Sequence, residues 1–138
     1  MNEEIPPSPW APDWVPDSGF QLRLAGVHFD AVRIQGQLGE EVAKSLCRLS
    51  SHDPGPIVYE LTGYRWMYFL LPPHTARVRT WPTYTQRYTS RTRNASAYVG
   101  VPALSGTTWP LAWRSVPTRG APYVDPDLLE KVTGTENA

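Results

Sequence analysis

The stretch "IVYELTGYRWMYFLLPP", residues 57–73, commits the middle of the chain to β-structure. β-Branched and aromatic residues crowd both of its ends, Ile57 to Tyr59 and Trp66 to Phe69. Such side chains pack well on a pleated, half-buried surface. Between them Thr62-Gly63-Tyr64 supplies a turn, glycine giving the backbone freedom that a short connection needs. The segment therefore reads as two strands, "IVYEL" and "RWMYFLL", joined as a hairpin. Pro72 and Pro73 end the second strand, because proline has no N–H to give to a ladder.

Upstream, apolar residues at Leu38, Val42, Leu46 and Leu49 recur at helical spacing, so Gln37–Leu49 is expected to be a helix. Glu40 and Glu41 then fall in its first turn, where the helix dipole favours negative charge. "FQLRLAGVHFDAVRI" (20–34) reads as one or two strands broken near Ala25-Gly26, and "SHDPGP" (51–56) as a turn. Downstream, "AYVGV" (97–101) reads as a central strand. "WPLAW" (109–113) reads as a strand near an edge, because Pro110 lacks a ladder donor. "DPDLLEKVTG" reads as a closing helix with Asp125 as N-cap, Pro126 in the first turn and Gly134 as its stop. The fold class is α+β: a single compact domain with a mixed, largely antiparallel sheet, a helix between the early strands and a C-terminal helix. Residues 20–133 form this domain and 134–138 a disordered tail. Residues 1–19 hold five prolines with Trp10 and Trp14, and read as an extended arm packed on the domain or on a partner.

Composition narrows the classes. The chain has 138 residues, 41% hydrophobic and 19% charged, enough for one domain with a real core. There is no apolar run of about 18 residues and no basic-then-apolar start, so no membrane partner is expected and the location is read as cytoplasmic. Cys47 is the sole cysteine, which excludes an internal disulfide and a multi-cysteine metal site. It falls on the first helix's apolar stripe and reads as core. His28, His52 and His74 follow no metal-ligand spacing. His28 and Asp30, two apart on one strand, would share a face and are the weak residual metal candidates. No metal or other cofactor is expected.

Charge is uneven. Residues 1–60 hold nine acids and four bases, whereas 61–124 hold eight arginines and no acid. Such a block attracts phosphates or an acidic partner, unless the acidic ends fold over it and neutralise it. Within it, "RVRTWPTYTQRYTSRTRN" (77–94) interleaves arginines with aromatics. Arg77, Arg79, Arg87, Arg91 and Arg93 are the candidate phosphate contacts; Trp81, Tyr84 and Tyr88 are the candidate stacking faces for bases.

The order of motifs, "GVHFDAVRI", a helix, "IVYELTGYRWMYFLLPP", "SAYVGVPAL" and "WPLAW", resembles the N-terminal domain of bifunctional DNA primase–polymerases over roughly residues 20–133. The resemblance implies a reduced core of that type. It also implies an early-strand pair of acids, a histidine ahead of the Tyr-Phe pair, and a third acid before the later strand's tyrosine. Those acids would hold metal ions at a 3′-hydroxyl and a triphosphate. In this chain Asp30 is present, but Val32 stands two residues on, Trp66-Met67 precede Tyr68-Phe69, and Arg91 lies seven before Tyr98. Arginine in place of a metal-binding carboxylate repels a divalent cation. The chain therefore reads as a degenerate, non-catalytic relative that binds nucleic acid or nucleotide. The alternative is a protein-interaction or regulatory module using the Pro/Trp-rich arm and the basic face.

Overall fold

The computed structural model describes residues 10–89 and 97–136. In chain order the elements are β1 (Phe20–Leu24), β2 (Asp30–Gln35), α1 (Gly36–Leu49), β3 (Ile57–Glu60), β4 (Trp66–Leu71), β5 (Thr85–Tyr88), β6 (Tyr98–Pro102), β7 (Leu111–Ser115) and α2 (Pro126–Glu136). The fold is α+β, as the sequence implies. β3 and β4 form the expected antiparallel hairpin, with Ile57 opposite Phe69 and Tyr59 opposite Met67. It lies inside a five-stranded antiparallel sheet of order β5-β2-β4-β3-β7. β7, introduced by Pro110, is an edge.

Strand alternation sorts side chains onto the two faces of this sheet. On one face Val32, Ile34, Ile57, Met67, Phe69 and Leu71 pack against Val42, Ala43 and Leu46 of α1 and Leu129 and Val132 of α2. On the other, Ala31, Val58, Tyr68 and Leu70 pack with Trp14, Phe29, Val99 and Val101. β6 therefore departs from the expectation of a central strand: it pairs with β1 in a separate two-stranded ribbon, Phe20 opposite Pro102 and Leu24 opposite Tyr98. Val99 and Val101 are buried while Tyr98 is 56% exposed and Gly100 half-buried, so β6 is not buried on both faces along its length. A short apolar run does not distinguish that from burial on both faces.

α1 begins at Gly36, whose φ of +39° suits glycine, and its N–H donates to the Arg65 carbonyl at 3.0 Å. The hairpin turn thus satisfies the helix's first donor, and Gln35 supplies no side-chain cap. The earlier start moves Glu40 and Glu41 out of the first turn. Glu40 instead takes Arg114 of β7 through both oxygens, at 2.8 to 3.1 Å. Gly39 lies where packing is tight: a Cβ there would stand 3.0 Å from the Ile34 carbonyl oxygen and from Met67 Cβ. The apolar stripe ends at Leu46, because Leu49 is 46% exposed. Cys47 is half-buried rather than core, its Sγ 3.4 Å from His52 Nδ1. Asp125 caps α2 as expected, accepting from the Asp127 N–H at 2.9 Å. The helix runs through Gly134 to Glu136 instead of stopping there.

The arm, from Trp10 onward, docks on its own domain. Trp14 is 4% exposed, meets Phe29 edge-on at 5.1 Å and stacks with Tyr123 at 6.2 Å. Arg23 Nε donates to the Trp14 carbonyl at 3.0 Å, and the Arg119 guanidinium lies 5.7 Å from the Trp10 ring. Among the described residues no helix is long and apolar enough to cross a membrane.

Candidate nucleic-acid interface

His28 and Asp30 do not share a strand face. His28 lies exposed in the turn ahead of β2, which starts only at Asp30. Asp30 is fully buried, and its Oδ2 accepts from the Ala76 N–H at 2.9 Å and the Thr89 hydroxyl at 2.8 Å. Its Oδ1 is buried without a hydrogen-bond partner among the described residues. Among those residues no three His, Cys, Asp or Glu side chains gather as a metal site would need. What Asp30 does instead is mechanical. It ties down Ala76 and Thr89, the chain on either side of residues 77–88.

Within the segment the candidates separate. Arg79 is largely buried: its Nη1 lies 2.6 Å from Asp127 Oδ1 and 3.1 Å from Glu130 Oε1. The Thr80 N–H adds a bond to Glu130 Oε2 at 3.2 Å. The hydrogen bond to Asp127, ahead of the weaker Glu130 contribution, holds the Arg79 pKa above its ordinary value. This arginine is spent on ion pairs to α2 within the chain, as neutralisation by the acidic ends requires. Trp81 is half-buried against the helical core and donates Nε1–H to the Ala76 carbonyl at 2.8 Å. Tyr84 packs on the same core and donates to the Thr133 carbonyl.

β5 divides the rest between faces. Arg87 stands opposite Val32, on the helical side, whereas Gln86 and Tyr88 stand opposite Arg33 and Ala31. Arg77 and Arg87 are both exposed, and neither has a carboxylate partner among the described residues. Arg87 Nη1 donates to the Arg77 backbone carbonyl at 3.4 Å. A groove of about 460 Å³ lies here, lined by Arg79, Trp81, Thr83, Thr85 and Arg87. Arg91 and Arg93 lie outside the described residues.

Tyr88 belongs to a second constellation that sequence reasoning missed. Arg33 donates from Nε to Gln86 Oε1 at 2.7 Å and lies within 3.4 Å of the Tyr68 hydroxyl; that hydroxyl donates to Glu60 Oε1 at 2.9 Å. The guanidinium lies 3.9 Å over the Trp66 ring and 5.4 Å from Tyr88, both within cation–π range. Burial first, and the Glu60 carboxylate, push the Tyr68 hydroxyl up to about 12, against the opposing Arg33. One signal was present in the sequence: an arginine in the strand "DAVRIQ", on the face that Tyr68 and Trp66 share.

A third feature adjoins it. Between the β3–β4 turn and the start of α1 lies a cleft of about 560 Å³, with walls from Gln35, Gln37, Tyr64, Arg65, Trp66 and Tyr84. Arg65 holds a left-handed φ of +56°, uncommon outside glycine. Compared with protein-family models, curated proteins and solved structures, the chain matches none.

Proposed function

We propose that this chain is a non-catalytic module that binds nucleic acid or nucleotide through the groove beside β5. The observation that carries the reading is Arg87, exposed beside the fixed ring of Trp81 in the groove and reaching the backbone of the equally exposed Arg77, neither arginine having a carboxylate partner among the described residues. Guanidinium groups bind phosphate oxygens directly, and their rigid donor fork suits that partner. Residues 77–88, which carry them, are bracketed by Asp30 through Ala76 and Thr89 and pinned near their start by Arg79, so little ordering of this stretch would remain to be done on binding. The primase–polymerase resemblance points to the same class of ligand. The non-catalytic part of the proposal is supported by Val32 and Met67, both buried in the helical core, and by Trp66 lying beneath Arg33. The protein-partner alternative draws less support, since Trp14 is buried in the domain itself.

The test is a salt titration against single-stranded DNA, duplex DNA and nucleoside triphosphates. Binding should be strong near 50 mM salt and fall steeply as salt rises, through counterion release. Arg77→Ala and Arg87→Ala should each weaken binding to all sequences alike and flatten the log–log slope by about 0.7 on a single strand. Absence of binding to every ligand at about 50 mM salt sinks the proposal.

A further inference from the structure

We infer that the cleft between the β3–β4 turn and the start of α1 is a nucleobase subsite, so that the ligand is a single strand with an unpaired base. The inference rests on the reading above and specifies which form of nucleic acid it takes. Four features of the cleft match a flat heteroaromatic ring joined to a phosphate chain.

Its size, about 560 Å³, falls in the range of small-molecule sites. Its walls are aromatic: Tyr64 is 71% exposed, and its ring centroid lies 6.3 Å from that of Trp66. An exposed tyrosine of that kind offers stacking area with little conformational entropy to lose. One face of Trp66 is occupied by Arg33 at 3.9 Å, and Arg33 is itself held by Gln86 and Tyr68, so the indole is oriented before any ligand arrives.

The rim carries hydrogen-bonding groups without partners. Gln35 and Gln37 are exposed, and neither side-chain amide is hydrogen-bonded among the described residues. Each offers a carbonyl acceptor beside an NH₂ donor, the pattern that a base edge complements. Arg65, also exposed and without a carboxylate partner among the described residues, places positive charge at the same rim.

The cleft is also connected to the cationic groove. Thr83 and Thr85 line the groove and Tyr84 lines the cleft, so one three-residue segment borders both. A strand whose phosphates lie on Arg77 and Arg87 can turn one base past this segment into the cleft. A duplex cannot, because its bases are already paired and stacked.

The probe is a fluorescein-labelled oligothymidylate, compared at fixed salt with an abasic strand of equal length and with a duplex. The full-length protein should bind the oligothymidylate at least about 5-fold more tightly than the abasic strand, as stacking of one base implies. Tyr64→Ala should abolish that difference while leaving abasic binding unchanged. Arg77→Ala should weaken both strands equally. Arg65→Gly serves as a second variant whose fold is secure, since glycine suits the left-handed backbone there; it should weaken both strands alike and keep the preference, without lowering the melting temperature. Equal binding of the base-bearing and abasic strands, duplex binding as tight as the single strand, or a Tyr64→Ala loss shared by both strands overturns the base subsite and leaves the charged groove standing. If neither strand binds at about 50 mM salt, the charged groove falls too.

Discussion

The helix-covered face of the five-stranded sheet and the face beneath the ribbon are made by the same strands and filled in opposite ways. Toward α1 and α2, β2 and β4 send Val32, Ile34, Met67, Phe69 and Leu71, all aliphatic or aromatic and all buried. Toward the ribbon, the intervening residues begin apolar with Ala31 and Leu70 but continue as Arg33, Trp66 and Tyr68. The first face is closed by bulk alone. The second is closed by Phe29, Trp14 and the ribbon over one part, and by a hydrogen-bonded cation on aromatic rings over the other. A period of two lets one strand serve a dry core on one side and a hydrogen-bonded polar face on the other. The two faces can therefore be varied separately here, residue by residue along β4.

That separation can be broken most forcefully at Phe69. Phe69→Ala removes a fully buried ring from the helical face and should cost about 3–5 kcal/mol, read as a lowered midpoint in urea unfolding. A loss as small as that of a surface change would mean that the helical face is not the main support of the fold.

Tyr68, next along the strand, should matter less and in a pH-dependent way. Tyr68→Phe removes the donor to Glu60 and should cost about 1 kcal/mol at neutral pH. The native hydroxyl titrates at about 12, above the unfolded value near 10. Between those values the native state holds the proton that the unfolded state has released. Its contribution is therefore complete below about pH 10 and is lost as pH rises toward 12. Unfolding curves across that window should show a steeper decline for the wild type than for Tyr68→Phe; parallel curves would contradict the raised value.

The smallest effects sharpen the contrast within the basic segment. Arg79→Ala breaks the pairs with Asp127 and Glu130 and should lower stability by up to about 1 kcal/mol. Arg87→Ala should stay within about 0.5 kcal/mol while weakening phosphate binding. If thermal unfolding ranks them the other way, the division into a structural and a ligand-facing arginine is wrong.

Local chemistry explains which features were legible in the sequence. The β3–β4 hairpin, the period of α1, the Asp125 cap and the edge position of β7 each rest on residues close together in the chain, so spacing alone reveals them. Arg79 could not be read that way, because the carboxylates that hold it lie about 50 residues further on in α2. The Arg33 network draws on β5, β4 and β3 together, and no window of sequence contains its register. The misplaced β6 has the same cause: "AYVGV" shows a strand, but the choice of partner is made by β1. His28 was misjudged for a different reason, since the turn after Ala25 runs three residues further than its glycine suggests.

The pairing of Phe20 with Pro102 has a consequence for the order in which the protein is made. β1 leaves the ribosome long before β6, its partner in the ribbon, and β2 likewise precedes β5 by about 50 residues. Until then the nascent chain can assemble the local β3–β4 hairpin and α1, while Trp14 and Phe29 wait for Val99, Val101 and Tyr123. Contacts so distant in sequence slow folding, because a long loop must close before any reward is gained. The prolines at 12 and 16 remove ladder donors on both sides of Trp14, which limits the appeal of that stretch to other unfinished chains during synthesis.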